Sequence, residues 1–360
     1  MAPESSLRIL VAGDKSHAGK STVSMGLLAA LLESGFHSSE LAYIKPATQC
    51  VSSTLTARFC QDRGIAYEHI GPVVFYRGFT RARLDLDLAA GERELADANE
   101  APAAEEQLST RCAQAVERIS EGKKLTLIDG VGYPSVGSIV GCSSADVAVA
   151  CRAPVVIVGR PGVGDAVDSF NLCASYFEAQ RVPVLGGIFN KLAPAGFYSL
   201  DNCRRYVSSY MALRRPRQRV YGMLPAQESL ASAGAEETCG FAFKHPPQPD
   251  EAGALSPEDE AAINLVTKLF REHVRPPRPP HPLHRMPHSP TAAPPPLDRS
   301  PHALAHDGYA RQVDTKQLVT DLAEASARPA SWVRELPSFP GADEPTANAG
   351  KAKRSRDEAE

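Results

Sequence analysis

The chain has 360 residues, 43% hydrophobic and 22% charged, with a formal charge of −3, so it offers no global basic field to collect nucleic acid or anionic membrane. It contains no uninterrupted apolar run of about 18 residues, the length a membrane span requires. Its eight cysteines are scattered, without a Cys-x-x-Cys pair or a histidine at metal spacing, which points to a reduced, cytoplasmic protein and excludes a disulfide framework or zinc module.

Met1–Arg8 is too short and polar for a signal peptide, because Leu7-Arg-Ile-Leu-Val-Ala12 already reads as a strand. From Lys20 to Ser34, Val23, Leu27, Leu28, Leu31 and Leu32 recur at helical spacing until Gly35 stops the pattern. Leu41–Ile44 is a predicted short strand ended by Lys45-Pro46, Ala104–Glu121 a helix, and Lys124–Asp129 a strand bounded by Gly130. Pro154–Val158 and Pro183–Phe189 are buried strands joined by a helix over Ala166–Arg181, and Tyr221–Pro225 closes the series. Continuous Val/Ile/Leu runs separated by helices predict an α/β fold: a mostly parallel sheet with helices on both faces. This domain is expected to occupy residues 1–240.

Beyond it, Ser256-Pro257-Glu258-Asp259 is a helix start, with a Ser cap, Pro in the first turn and acids at the positive helix end. A closing helix is expected over 256–274, with Ile263, Val266, Leu269 and Phe270 on one side. The 30 prolines exceed the roughly 18 that about 5% usage would supply, and they crowd into the last third. Residues 275–360 are therefore expected to be a largely disordered tail, holding at most one helix within Asp307–Ala327 and adding little to stability. Such a tail is a candidate docking segment for a protein partner. The basic run Lys351–Arg356 reads as a solvated charged end rather than a nuclear import signal.

The most specific feature is Gly13-Asp-Lys-Ser-His-Ala-Gly-Lys-Ser-Thr22. A strand before it and a helix after it favour a phosphate-binding P-loop over a chance glycine-rich turn. Gly13 and Gly19 allow tight turning, so that the backbone of Ser16, His17 and Ala18 can aim N–H groups at an anion. Lys20 supplies a point charge for the β- and γ-phosphates, Ser21 a hydroxyl ligand for Mg²⁺, and Thr22 continues the helix start.

Five residues separate Gly13 from Gly19, and this longer loop resembles the dethiobiotin synthetase group of P-loop proteins. That group also includes cobyrinic acid a,c-diamide synthase and the synthetase domain of CTP synthase. Tyr43-Ile-Lys-Pro46 resembles its Lys-Pro segment, Ile128-Asp-Gly-Val-Gly132 its Glu-Gly-Ala-Gly, Gly187-Ile-Phe-Asn190 its adenine-reading strand end, and Tyr221-Gly-Met-Leu-Pro225 its Gly-x-Ile-Pro. Gly71–Phe75 and Phe79–Leu84 are similar to the synthetase-like domain at the N-terminus of some phosphotransacetylases.

Asp129 ends a strand, where a carboxylate can hold Mg²⁺. Lys45 lies past the end of a neighbouring strand, where a cation can stabilise developing acyl-phosphate or carbamate charge. Asn190 can donate to and accept from an adenine edge; Ala193 stands where a guanine-reading acid would be, which favours ATP over GTP. The resemblance places Pro225 in the nucleotide site as well.

There are two departures. Where the family has a Ser-Asp pair supplying a second Mg²⁺ carboxylate, this chain has Ser52-Ser53-Thr54-Leu55, and His17 replaces the loop acid. An aspartate at Ser53 is expected to restore Mg²⁺ affinity. The resemblance implies an ATP- and Mg²⁺-dependent ligase acting on a small-molecule carboxylate or carbamate, with a substrate site built across a homodimer. The alternative is a nucleotide-sensing adaptor that hydrolyses ATP slowly or not at all.

Overall fold

The structure, a computed structural model, describes residues 6–49, 51–96, 107–233, 253–272 and 315–327. The chain begins with β1 (Leu7–Gly13) and α1 (Lys20–Glu33), and returns through a 3₁₀ turn (Ser38–Glu40) as β2 (Leu41–Ile44). Next come β3 (Ala47–Thr48), α2 (Leu55–Arg63), β4 (Ala66–Glu68), β5 (Val73–Val74), α3 (Phe79–Ala96) and α4 (Leu108–Ser120). β6 (Leu125–Asp129), a 3₁₀ turn (Ser138–Val140), α5 (Ser144–Ala150), β7 (Val155–Gly159) and α6 (Gly164–Ala179) follow. The series ends with β8 (Val184–Leu192), α7 (Leu200–Arg214), β9 (Arg219–Pro225), α8 (Glu228–Ala233), α9 (Pro257–Glu272) and α10 (Thr315–Ala327).

Seven strands form one sheet in the order β4-β2-β6-β1-β7-β8-β9, with every neighbouring pair parallel. β3 and β5 pair separately. Parallel strands need crossovers, which place helices on the sheet faces and bury both. Alternate residues of β1 therefore feed two apolar layers. Ile9 and Val11 join Leu27 and Leu28 of α1, while Leu10 and Ala12 join Val116 of α4 and Ala145 of α5. Because all seven strands run the same way, their C-terminal ends share one edge, where open α/β sheets bind ligands. The predicted parallel α/β fold is present, with β1 at its centre.

The sequence reading misses α2, α5 and α7, which start at local caps rather than at apolar periods. Thr54 accepts from the Ala57 N–H, Ser143 and Asp146 form a capping box, and Ser199 accepts from the Asn202 N–H.

α9 opens on a capping pair. The Ser256 hydroxyl accepts from the Asp259 N–H at 3.1 Å, and the Asp259 carboxylate accepts from the Ser256 N–H at 3.0 Å. α9 lies on α1, with Phe270 over Gly26; a Cβ on Gly26 would stand 2.1 Å from the Phe270 ring. Glycine in the middle of α1 is what lets the two helices approach.

The expectation that residues beyond 275 add little to stability stands against the packing of α10. Its 13 residues bury Leu318 and Leu322 in the same layer as Ile9, Leu27 and Leu127. Asp321 accepts from the Tyr221 hydroxyl at 2.6 Å and pairs with Arg219 Nε at 3.0 Å. Apolar residues at helical spacing outweigh the Pro-rich surroundings. The rest of the expected tail, residues 273–314 and 328–360, lies outside the described residues, including Lys351–Arg356.

Candidate functional site

β1 delivers Gly13 to the sheet edge, and the loop from Asp14 to Gly19 connects it to α1. A Cβ on Gly13 would stand 2.9 Å from the Lys15 carbonyl and 3.1 Å from the Lys20 stem, so Lys20 curls back over the loop only because Gly13 is bare. Gly19 has φ +91 and His17 φ +60, the left-handed kinks that fold the loop into a nest. α1 starts at Gly19 with no side-chain cap and no acid in its first turn, leaving its positive end for an outside anion.

The loop is clamped from the β8 side. Asn190 Nδ2 donates to the Ala18 carbonyl at 3.0 Å and Lys191 Nζ to the His17 carbonyl at 2.9 Å. Among the described residues, the N–H groups of residues 16–19 make no backbone hydrogen bond. With two carbonyls held by β8 and the amides uncommitted, the loop has the polarity an oligophosphate requires. A second clamp lies at the loop's start. The fully buried Asp14 carboxylate accepts from both the backbone N–H and Nε of Arg160, at 2.9 and 2.8 Å.

Lys45 and Asp129 meet the loop at Ser21. Asp129 is 0% and Lys45 7% exposed. Asp129 Oδ2 accepts from Ser21 Oγ at 2.8 Å and from the Tyr43 hydroxyl at 2.9 Å, with Lys45 Nζ 3.8 Å away. Lys45 Nζ donates to Ser21 Oγ at 3.4 Å. Asp129 Oδ1 is buried without a hydrogen-bond partner among the described residues. A hydroxyl next to a buried carboxylate with one uncommitted oxygen is a donor set suited to a hard divalent cation. The residues present therefore fit Mg²⁺, and Ser21 with Asp129 would hold it. Among the described residues no group of three or more His, Cys, Asp or Glu could hold a metal by itself, so most of any cation's shell would come from phosphate and water.

Pro225 ends β9, in register with Leu192 of β8, which places it at the same sheet edge. Ser53 is held from the α2 side, where its carbonyl accepts from Arg58 Nη1 at 3.1 Å. Three contributors escape the sequence reading. Tyr43 is a tyrosine in an otherwise aliphatic strand, which is its only signal. Thr56 donates to the Ser21 carbonyl at 2.9 Å, and Asp14–Arg160 joins residues far apart in sequence. The six described cysteines are free, buried thiols with no part in the site; burial raises the Cys151 thiol to about 12. No helix among the described residues is long and apolar enough to cross a membrane.

The chain is similar to solved structures of nucleotide-binding proteins. A variant of McdA of Cyanothece in complex with ATP is 13% identical at a TM-score of 0.38, covering 74% of this chain and 97% of that one. The septum site-determining protein MinD of Pyrococcus horikoshii OT3, complexed with Mg-ADP, is 16% identical at a TM-score of 0.38, covering 72% of this chain and 94% of that one. The fold stands on the strand order and loop geometry above, not on these likenesses. No curated protein matches the sequence. A family model described as an AAA domain matches residues 7–233, from β1 through α8 and across every residue of the site, and the chain, a P-loop NTPase-type ATP-binding domain, belongs to that family.

Proposed function

We propose that the chain is an ATP- and Mg²⁺-dependent enzyme that transfers a phosphoryl group to a small-molecule carboxylate or carbamate, in the manner of a dethiobiotin synthetase-type ligase. The observation that carries this reading is Lys45. A lysine buried to 7% exposure, 3.4 Å from Ser21 and 3.8 Å from Asp129, costs desolvation that a solvated turn residue would avoid. Its place beside the P-loop serine suits a charge directed at the transferred group and the acceptor. In this reading Lys20 and the amides of Ser16–Gly19 bind the phosphates. The Asn190 carbonyl oxygen accepts from the adenine amino group, since its Nδ2 is already bound to Ala18. Guanine presents an acceptor at that position and is disfavoured. Pro225 flanks the base, and Mg²⁺ neutralises phosphate charge when bound. The acceptor site is shared across a homodimer, and the segment beyond 275 carries a protein contact.

A phosphate-release assay with diaminopelargonate and bicarbonate, against buffer alone, tests the reading. Stimulated release supports the ligase. Lys45→Ala should then slow turnover more than tenfold with ATP affinity nearly unchanged, about 2–4 kcal/mol of transition-state stabilisation.

The second reading, a nucleotide-sensing adaptor, is favoured by one observation. The position of the second family acid holds Ser53, whose carbonyl is tied to Arg58, leaving Asp129 as the single carboxylate bonded to Ser21 among the described residues. Tight ATP binding without substrate-stimulated release would select it.

A further inference from the structure

We propose that Tyr43 is a positioning residue for the cation site: its hydroxyl fixes the Asp129 carboxylate so that Oδ2 faces Ser21 and Oδ1 is presented to a divalent cation. The inference rests on the reading that a nucleotide and a cation bind at this loop.

β2 and β6 are parallel neighbours with Tyr43 opposite Leu127, so the ring starts two residues short of Asp129 and its hydroxyl reaches the strand end. Tyr43 is fully buried among Phe59, Leu41 and Leu127. A phenylalanine would serve that apolar layer equally well, and the oxygen is the part that packing does not explain. It donates to Asp129 Oδ2 at 2.9 Å, on the same oxygen that Ser21 Oγ reaches at 2.8 Å. Two hydroxyl donors arriving from different elements leave the carboxylate one orientation. The other oxygen, Oδ1, is buried and takes no hydrogen bond among the described residues. A buried carboxylate oxygen without a donor is costly unless a cation uses it. With the Tyr43 hydroxyl removed, Oδ2 keeps Ser21 Oγ and the more distant Lys45 ammonium at 3.8 Å, and the carboxylate is held less firmly in the orientation that sets Oδ1 apart. Outer partners that orient a ligand typically govern metal affinity by about 10–100-fold.

The test is equilibrium binding of a non-hydrolysable ATP analogue to the full chain, titrated with Mg²⁺ and repeated in EDTA. Y43F should raise the Mg²⁺ concentration for half-maximal binding about tenfold or more, leaving EDTA affinity and melting temperature as in wild type. Y221F, which removes another buried tyrosine hydroxyl far from the site, should leave the Mg²⁺ midpoint in place. In a D129N background Y43F should add nothing, because the anionic carboxylate it orients has gone. A Y43F midpoint within twofold of wild type overturns the inference, as does an equal loss of affinity with and without Mg²⁺, which marks a packing role. If wild type itself binds the analogue without regard to Mg²⁺, the underlying reading of the site fails instead.

Discussion

Asn190 Nδ2 sits 3.0 Å from the Ala18 carbonyl, and a Cβ on Gly19 would stand 2.3 Å from that same nitrogen. The end of β8 and the phosphate loop are therefore fitted to each other through one amide and one missing side chain. Under the proposed function, Asn190 would couple the base side of the site to the phosphate side, since the group that holds the loop lies at the end of β8.

The first prediction concerns this pair. Asn190→Ala should weaken ATP binding by roughly 1–3 kcal/mol, the cost of an unpaired buried group, and should narrow the preference for ATP over GTP. Asn190→Asp should be worse, because a carboxylate would oppose the Ala18 carbonyl. Gly19→Ala combines that clash with the strain of φ +91 and should abolish binding. Competition titrations with ATP and GTP read all three.

The second concerns α10. Truncation after Glu272 removes Leu318 and Leu322 from the layer they share with α1 and β1, so it should lower the melting temperature. Leu322→Ala alone should cost about 2–5 kcal/mol, measured by urea unfolding. A truncated chain as stable as the full one would mean that α10 does not hold the sheet.

The third is a pH dependence. Burial alone would raise the Asp259 pKa, but the hydrogen bonds from Arg58 and the Ser256 N–H outweigh it and hold the carboxyl below its ordinary value of 3.8. A depressed carboxyl adds stability above its unfolded pKa, and that increment disappears as pH falls through the folded one. The stability gap between wild type and Asp259→Asn should be complete above about pH 5 and close in stronger acid. Because the pair is partly exposed, the gap should stay near or below about 1 kcal/mol. Urea melts across pH measure it.

The fourth concerns Ser53. Arg58 Nη1 lies 3.5 Å from Ser53 Oγ, so an aspartate there has a cation within reach on the α2 side. Ser53→Asp should form that ion pair and leave the Mg²⁺ midpoint for nucleotide binding within twofold of wild type. A tenfold gain in Mg²⁺ affinity would show that the carboxylate turns to the site instead.

Much of the site is legible because it is local in sequence. Gly13 to Thr22 lies between one strand and one helix, and Lys45, Asp129 and Asn190 each mark the end of an apolar run. A parallel sheet brings such ends to a single edge, so order along the chain becomes proximity in space. Tyr43 and the Asp14–Arg160 pair are not legible, because each acts through a partner that only the strand order β2-β6-β1-β7 supplies, and Thr56 is not, because its partner Ser21 is brought to it by α2 lying beside α1. A helix within Asp307–Ala327 is legible, but its packing is not: Leu318, Val319 and Leu322 are few apolar residues in a polar context, and their burial depends on the layer they share with α1 and β1.

The central claim is that this loop binds nucleotide phosphate through Lys20. Calorimetric titration of ATP with Mg²⁺ into wild type and Lys20→Ala tests it most directly. Lys20 curls over Gly13 rather than into an apolar layer, so the variant should melt as wild type does. The account predicts one site per chain in wild type and at least a tenfold loss of affinity in Lys20→Ala. Equal affinity in the two proteins, both folded, would contradict it.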